Sequence, residues 1–482
     1  MQYLSTRDSA LRVSAQEAIV RGLAPQSGLF VPETFPQADL DAWKNLSYPE
    51  LAEKVLAGFL TDYSADFLHT ATASTYGAAF GGKAGETVKV RDGLYSLELW
   101  HGPTCAFKDY ALQLMPKLLV EAKKMLGRTE TTRILVATSG DTGKAALAGY
   151  ADLDGIEIEV FYPNDGTSEI QHLQMATQKG ENVQVYAVQG NFDDAQTGVK
   201  KVFADADVAA ELEKRGIRLS SANSINWGRL VPQIVYYFYA YFRLAEQGAV
   251  AWGEPVDFCV PTGNFGDILA GYYAKQMGLP VGKLICASNK NNVLTDFIKT
   301  GTYDARRTFY KTTSPSMDIL ISSNLERLLL HTSGSAEKVE GWMQELAATG
   351  KYTVDAETLA KIQASFAAGY ADDAAGAAEI RARFERDGYL CDTHTAVAFH
   401  VAEANRSDAP MVVLSTASPF KFPRDVLAAL GETAPESDFA AMAALTAKTG
   451  AAAPASLREL DKLPVRFNTV IEPAEIRAAA LR

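Results

Sequence analysis

Six short apolar runs, each closed by a turn and followed by a helical pattern, constrain this chain most. They are LYSLEL (94–99), RILVAT (133–138), IEIEVFYP (156–163), VQVYAV (183–188), FCV (258–260) and MVVLS (411–415). A strand with one wet face alternates apolar and polar residues, whereas a strand covered on both faces reads as a near-continuous apolar run. The runs therefore predict parallel sheets covered by helices. The fold class is α/β, with ligands expected at the carboxyl ends of the strands.

The rest of the chain is arranged around that pattern. Residues 1–90 read as a small N-terminal region, helical and irregular, with a helical pattern over 48–60. Residues 91–303 and 386–435 form the expected core of two α/β subdomains. Residues 304–385 read as a helical insert, alanine-rich from 355 to 383, and 436–482 as a C-terminal helical region. A chain of 482 residues has the length of roughly two to four domains.

Charge and cysteine usage exclude several classes. Lys plus Arg number 46 against 58 for Asp plus Glu, a net charge of −12, and a nucleic-acid-binding domain normally carries a basic surplus. Cys105, Cys259, Cys286 and Cys391 show no Cys-x-x-Cys spacing, so reduced, buried thiols are expected and neither a disulfide framework nor structural zinc. The N-terminus MQYLSTRDSALRVS has no apolar signal core, which points to a cytoplasmic protein. The longest apolar run, 234–242, is nine residues where a membrane span needs ~20, so it reads as a buried helix.

Four segments carry possible chemistry. In Val260-Pro261-Thr262-Gly263-Asn264-Phe265-Gly266-Asp267 an apolar strand enters a two-glycine turn and then a helix. Such a turn exposes backbone N–H groups that suit a phosphate, or is simply a tight connection. A second turn, Thr138-Ser139-Gly140-Asp141-Thr142-Gly143-Lys144-Ala145, fails as a nucleotide P-loop. Thr138 stands where that motif needs glycine, and Ala145 where it needs Ser or Thr. It remains a polar helix start able to meet a carboxylate or anion, or a structural turn. In Trp100-His101-Gly102-Pro103-Thr104-Cys105-Ala106-Phe107-Lys108, the lysine opens a helix with an apolar face. The helix dipole and desolvation both lower an amine's pKa there, as an imine-forming lysine requires; a solvated lysine is the plain alternative. His101 reads as a turn histidine satisfied by backbone. The fourth, Ser220 to Arg229, gathers hydroxyls, amides and an arginine suited to gripping carboxylate or phosphate. It leads into aromatic residues that belong to a core or a subunit interface.

Taken together, these segments resemble the pyridoxal-phosphate enzymes of the tryptophan-synthase-β fold type, and among them the threonine synthases of the long bacterial and fungal branch. The resemblance runs through STRD, GLAPQSGLFVP, HGPTCAFKD, ATSGDTGKAA, NSINWGRLVPQ, VPTGNFGDILAGY and LSTAS, most of the chain. It implies that Lys108 carries the cofactor, pyridoxal 5'-phosphate, as an imine. It also implies that Gly263, Asn264, Phe265, Gly266 and Asp267 cradle the cofactor phosphate and that Thr416 meets the ring nitrogen. Ser139, Gly140, Asp141 and Thr142 are then expected around the substrate carboxylate, and Asn223, Ser224, Asn226 and Arg229 at the substrate phosphate. Family members often have His-Pro-Ala where this chain has Ser418-Pro419-Phe420, so no role passes to Ser418.

The reaction implied converts O-phospho-L-homoserine and water to L-threonine and phosphate. Protons leave Cα and Cβ, phosphate leaves Cγ, and water adds at Cβ, in an enzyme acting as a monomer or homodimer without nucleic acid or membrane. A phospho-lyase or serine/threonine dehydratase of the same fold type is the alternative enzyme. A cofactor-binding relic or assembly protein is the non-enzymatic one.

Overall fold

In a computed structural model, which describes residues 1–164 and 167–482, the apolar runs form two buried sheets. The larger has six strands in the order Phe366–Tyr370, Val281–Ser288, Val256–Pro261, Met411–Ser415, Leu94–Glu98, Glu86–Arg91. The first five run parallel; Glu86–Arg91 closes the edge antiparallel to Leu94–Glu98. The smaller sheet is parallel throughout, ordered Val470–Ile471, Val183–Val188, Ile156–Pro163, Thr131–Ala137, Ile217–Ser220. Every residue of Val256–Pro261 and Met411–Ser415 is buried, which explains why those strands show no alternation.

Three features depart from the sequence reading. Residues 1–90 include a three-stranded antiparallel sheet, Asp8–Val13, Tyr3–Ser5 and Phe30–Pro32, besides the expected helix Tyr48–Phe59. Two of these strands are only three residues long, too short for a readable period, and exist through their partners. Within the alanine-rich stretch, Phe366–Tyr370 is a strand that pairs parallel with Val281–Ser288. A sheet edge in need of a partner overrode helix propensity there. At the C-terminus, Val470–Ile471 extends the smaller sheet.

The run at 234–242 lies in the helix Ile234–Glu246, whose Tyr236, Tyr237, Phe238 and Tyr241 are fully buried in this chain. All four cysteines are free and buried. Among the described residues, no helix is long and apolar enough to cross a membrane, and no group of three His, Cys, Asp or Glu residues is placed to hold a metal ion.

Candidate active site

The loops after strands Leu94–Glu98, Thr131–Ala137, Ile217–Ser220, Val256–Pro261 and Met411–Ser415 converge on one cavity of about 560 Å³. Lys108 lies in its wall. Its loop is stitched to the turn after Met411–Ser415, because Phe107 N–H donates to the Thr416 carbonyl at 2.8 Å and Ala106 bridges Ala417. The helix that Lys108 opens is a single turn, Asp109–Leu112, before a second helix, Met115–Met125, begins. Pro116 causes the break, since its ring cannot follow the Leu112 carbonyl in a continuous helix. A one-turn helix has little dipole, so burial is what draws the Lys108 amine down to about 8. The nearby Asp141 carboxylate opposes this, and the Arg229 and Lys421 cations assist. In cofactor-free protein, the rate at which Lys108 condenses with an added aldehyde should rise about tenfold per pH unit below 8 and level off above it. Stopped-flow absorbance across pH checks this; a plateau only above pH 10 would contradict it.

Gly263, Asn264, Phe265, Gly266, Asp267 and Thr416 all line the same cavity. A Cβ on Gly263 would stand 2.7 Å from the Ser316 carbonyl oxygen, so only glycine lets these backbones approach. Phe265 caps the helix Gly266–Gln276 in the left-handed region, at φ 64°. That conformation costs a non-glycine residue ~1–3 kcal/mol and turns the loop sharply at the cavity wall. Asp267 is buried, and its Oδ1 accepts from the hydroxyls of Tyr236 (2.6 Å) and Tyr237 (3.1 Å). Its Oδ2 has no partner among the described residues. Burial lifts this carboxyl to about 7, against the tyrosine hydrogen bonds and the Lys108 charge.

In the polar turn, Ser139 and Thr142 line the cavity, whereas Gly140 and Asp141 do not. The Thr138 hydroxyl accepts from the N–H groups of Gly140 (2.9 Å) and Gly143 (3.0 Å), which curls the turn. Gly140 adopts φ 145°, and a Cβ there would strike the Gln171 side chain at 2.6 Å. Asp141 faces away into a buried ion pair with Lys421 at 2.7 Å, and Gln171 Nε2 donates to it at 2.9 Å. Its carboxyl is held well below the usual range: burial pushes it up, and Lys421 and Lys108 more than reverse that.

From the fourth segment, Asn223, Ser224 and Arg229 line the cavity and Asn226 does not. Asn226 instead caps a helix turn, accepting from Gly228 N–H at 2.9 Å and donating to the Ile19 carbonyl at 2.9 Å. Arg229 is buried; its Nη1 donates to the Ala222 carbonyl at 2.8 Å while Nε has no partner. Among the described residues no carboxylate pairs with it, and burial draws its guanidinium down to about 10. His101 lies outside the cavity, bonded to the Glu98 carboxylate at 2.7 Å rather than to backbone. Ser418 is fully buried outside it, where its hydroxyl accepts from Phe420 N–H at 3.3 Å.

Three family models cover the chain in succession. They are "Threonine synthase N terminus" over residues 2–76, "Pyridoxal-phosphate dependent enzyme" over 84–376 and "Threonine synthase, C-terminal" over 395–479. Threonine synthase of Pseudomonas aeruginosa is 40% identical over 433 residues, 88% of this chain and 90% of that protein. The chain belongs to the threonine synthase family. Human threonine synthase-like 1 is 40% identical over 452 residues; the match takes in 89% of this chain but only 60% of that longer relative. The crystal structure of PLP-bound threonine synthase from Brucella melitensis shares the fold with a TM-score of 0.90 at 38% identity, covering 100% of this chain and 99% of that one.

The cavity fits the cofactor of the threonine synthase family on its own chemistry. Of its two lysines, Lys108 has the lowered amine, while Lys200 is exposed beside Gln196. The crowded Gly263 turn offers backbone amides, and the buried Asp267 carboxyl, lifted to about 7 and so only partly ionised there, repels an anion less than a full carboxylate would. Sequence reading missed several lining residues of this threonine synthase fold: Ser316, Asp318 and Ser323, Gln233, His394, and Lys200 on the helix Phe192–Ala204. Gln233 sits in the NSINWGRLVPQ motif without an assigned role, while the others come from residues 304–385 and from helices with no distinctive spacing. The one local signal was Asp392 before Thr-His-Thr, an N-cap pattern shared by many helices.

Proposed function

We propose that the protein converts O-phospho-L-homoserine and water to L-threonine and phosphate. One observation carries this reading: an amine poised near neutrality, Lys108, shares a cavity with Arg229, a buried cation that no carboxylate among the described residues neutralises. A buried unpaired charge is costly unless a ligand of opposite sign completes it, and a phosphorylated amino acid supplies that charge.

Lys108, Gly263, Asn264, Phe265, Gly266, Asp267 and Thr416 would hold pyridoxal phosphate. When bound, that group supplies an electron sink that acidifies the bonds at the substrate's amine-bearing carbon. Lys108 Nζ, drawn down to about 8 and so half free of its proton at that pH, accepts the proton from substrate Cα. Arg229, with Asn223 and Ser224, holds the substrate phosphate and stabilises it as it leaves Cγ. Ser139 and Thr142 present hydroxyls to the substrate carboxylate. Asp141 and Asn226 act one layer out, by fixing the turns that carry those groups. Four buried free thiols support a cytoplasmic setting, for an enzyme that works as a monomer or homodimer on small molecules.

The test is product analysis with O-phospho-L-homoserine: threonine and phosphate should appear in equal amounts. Keto acid as the sole product would sink the reading. Arg229→Gln should raise KM for this substrate about 10- to 100-fold, the worth of a lost charge-assisted hydrogen bond, and leave the cofactor's visible band in place.

A further inference from the structure

Asp392 is completely buried at the start of the helix Thr393–Ala404. Its Oδ2 accepts from the His394 backbone N–H at 2.9 Å and lies 2.7 Å from ring Nδ1. The other ring nitrogen, Nε2, accepts from the backbone N–H of Ser316 at 3.1 Å. An amide N–H can only donate, so Nε2 presents a lone pair and Nδ1 carries the ring proton toward Asp392. Both nitrogens are thereby committed. His394 lines the cavity with both ring nitrogens already hydrogen-bonded.

Its effect falls on Ser316. The hydroxyl of Ser316 accepts from Lys108 Nζ at 3.5 Å, and among the described residues no other group accepts from that amine. The Ser316 carbonyl rests against Gly263, so one residue touches both the lysine and the glycine turn. Asp392 also holds a second wall. Its Oδ1 accepts from Thr395 N–H at 3.1 Å and from the Thr395 hydroxyl, and that hydroxyl oxygen accepts from Thr416 N–H at 3.3 Å.

We propose that Asp392, His394 and Ser316 form a positioning chain that aims the Lys108 amine, with Ser316 in contact with Lys108 and His394 acting only through Ser316. An accepted hydrogen bond selects one orientation of a long, flexible side chain, so the amine's lone pair meets an incoming carbonyl already aligned. The chain spans residues more than two hundred apart in sequence and uses no residue of the recognised motifs except the lysine. It rests on the reading of Lys108 as the cofactor lysine and is independent of the substrate.

The experiment removes pyridoxal phosphate from purified protein, adds it back, and follows the visible band by stopped flow at pH 8. Ser316→Ala should slow band formation about tenfold, the usual worth of one hydrogen bond that sets geometry. His394→Phe should slow it by a similar factor. The double variant should be no slower than either alone, because links of one chain do not multiply. Ser316→Thr, which keeps the hydroxyl, and His394→Gln, which keeps an acceptor, should recover most of the rate. Wild-type kinetics in Ser316→Ala would overturn the proposal, as would multiplying effects in the double variant. Should His394→Phe fail to fold, Ser316→Ala and Ser316→Thr decide alone. No substrate enters the assay, so a failed threonine assay leaves this result standing.

Discussion

Lys108→Ala is expected to yield a folded protein with no visible cofactor band and with turnover lower by at least about 10³-fold, the range for removing a residue that both anchors chemistry and moves a proton. The fold should survive, because among the described residues the amine makes one long hydrogen bond, to Ser316, and no ion pair. Its loss strands no buried charge. Absorbance after adding pyridoxal phosphate, together with the thermal midpoint, reads both halves of the prediction. Lys144 is the control, being half-buried and likewise drawn down to about 8 by desolvation. It lies outside the cavity and is engaged with Gln178 Oε1 at 2.6 Å, so Lys144→Ala should keep the band. A band that persists in Lys108→Ala and vanishes in Lys144→Ala would reverse the assignment.

Lys421→Met should be the most destabilising single change near the site, by about 3–5 kcal/mol. Lys421 is fully buried, paired with Asp141 and donating to the Thr104 carbonyl at 3.1 Å. Without it the Asp141 carboxylate keeps only the Gln171 amide and the more distant Lys108 charge. Denaturant unfolding of Lys421→Met, Asp141→Asn and the double variant measures the pair. The double variant should be more stable than Lys421→Met, because a neutral amide no longer demands a counter-ion. Equal stability of Lys421→Met and wild type would show that the pair contributes nothing. The pH dependence has a definite sign. The Asp141 pKa is lowered on folding, so its contribution is fully present above the ordinary carboxylate range and is lost as pH falls through the folded value.

The parts of the fold that were legible in the sequence are those stated by local pattern. IEIEVFYP and VQVYAV are strands over the same residues, because two covered faces demand mostly apolar side chains, with Glu157 and Gln184 where the cover is incomplete. Phe366–Tyr370 was hidden in alanine-rich surroundings, since an edge strand is recruited by its neighbour and not by its own composition. The site divides the same way. Motif residues such as Lys108, Gly263 and Arg229 line the cavity, while Asp141 and Asn226, in the same motifs, turn outward to Lys421 and Gly228. Spacing places a backbone; it does not choose between two faces of a turn.

By itself the sequence determined the strand periods, the covered parallel sheets, the glycine turns and the lysine that opens a helix. These follow from steric and hydrophobic rules acting over a few residues. Only the tertiary structure decided that the helix at Lys108 is one turn long, so burial and not a dipole lowers its amine. It alone decided that Lys421 neutralises Asp141, that Arg229 is left without a counter-ion among the described residues, and that His394 reaches Ser316. Each of these depends on groups distant along the chain being brought within hydrogen-bond reach or kept from it. That is settled by how the sheets and helices pack, and no local pattern encodes it.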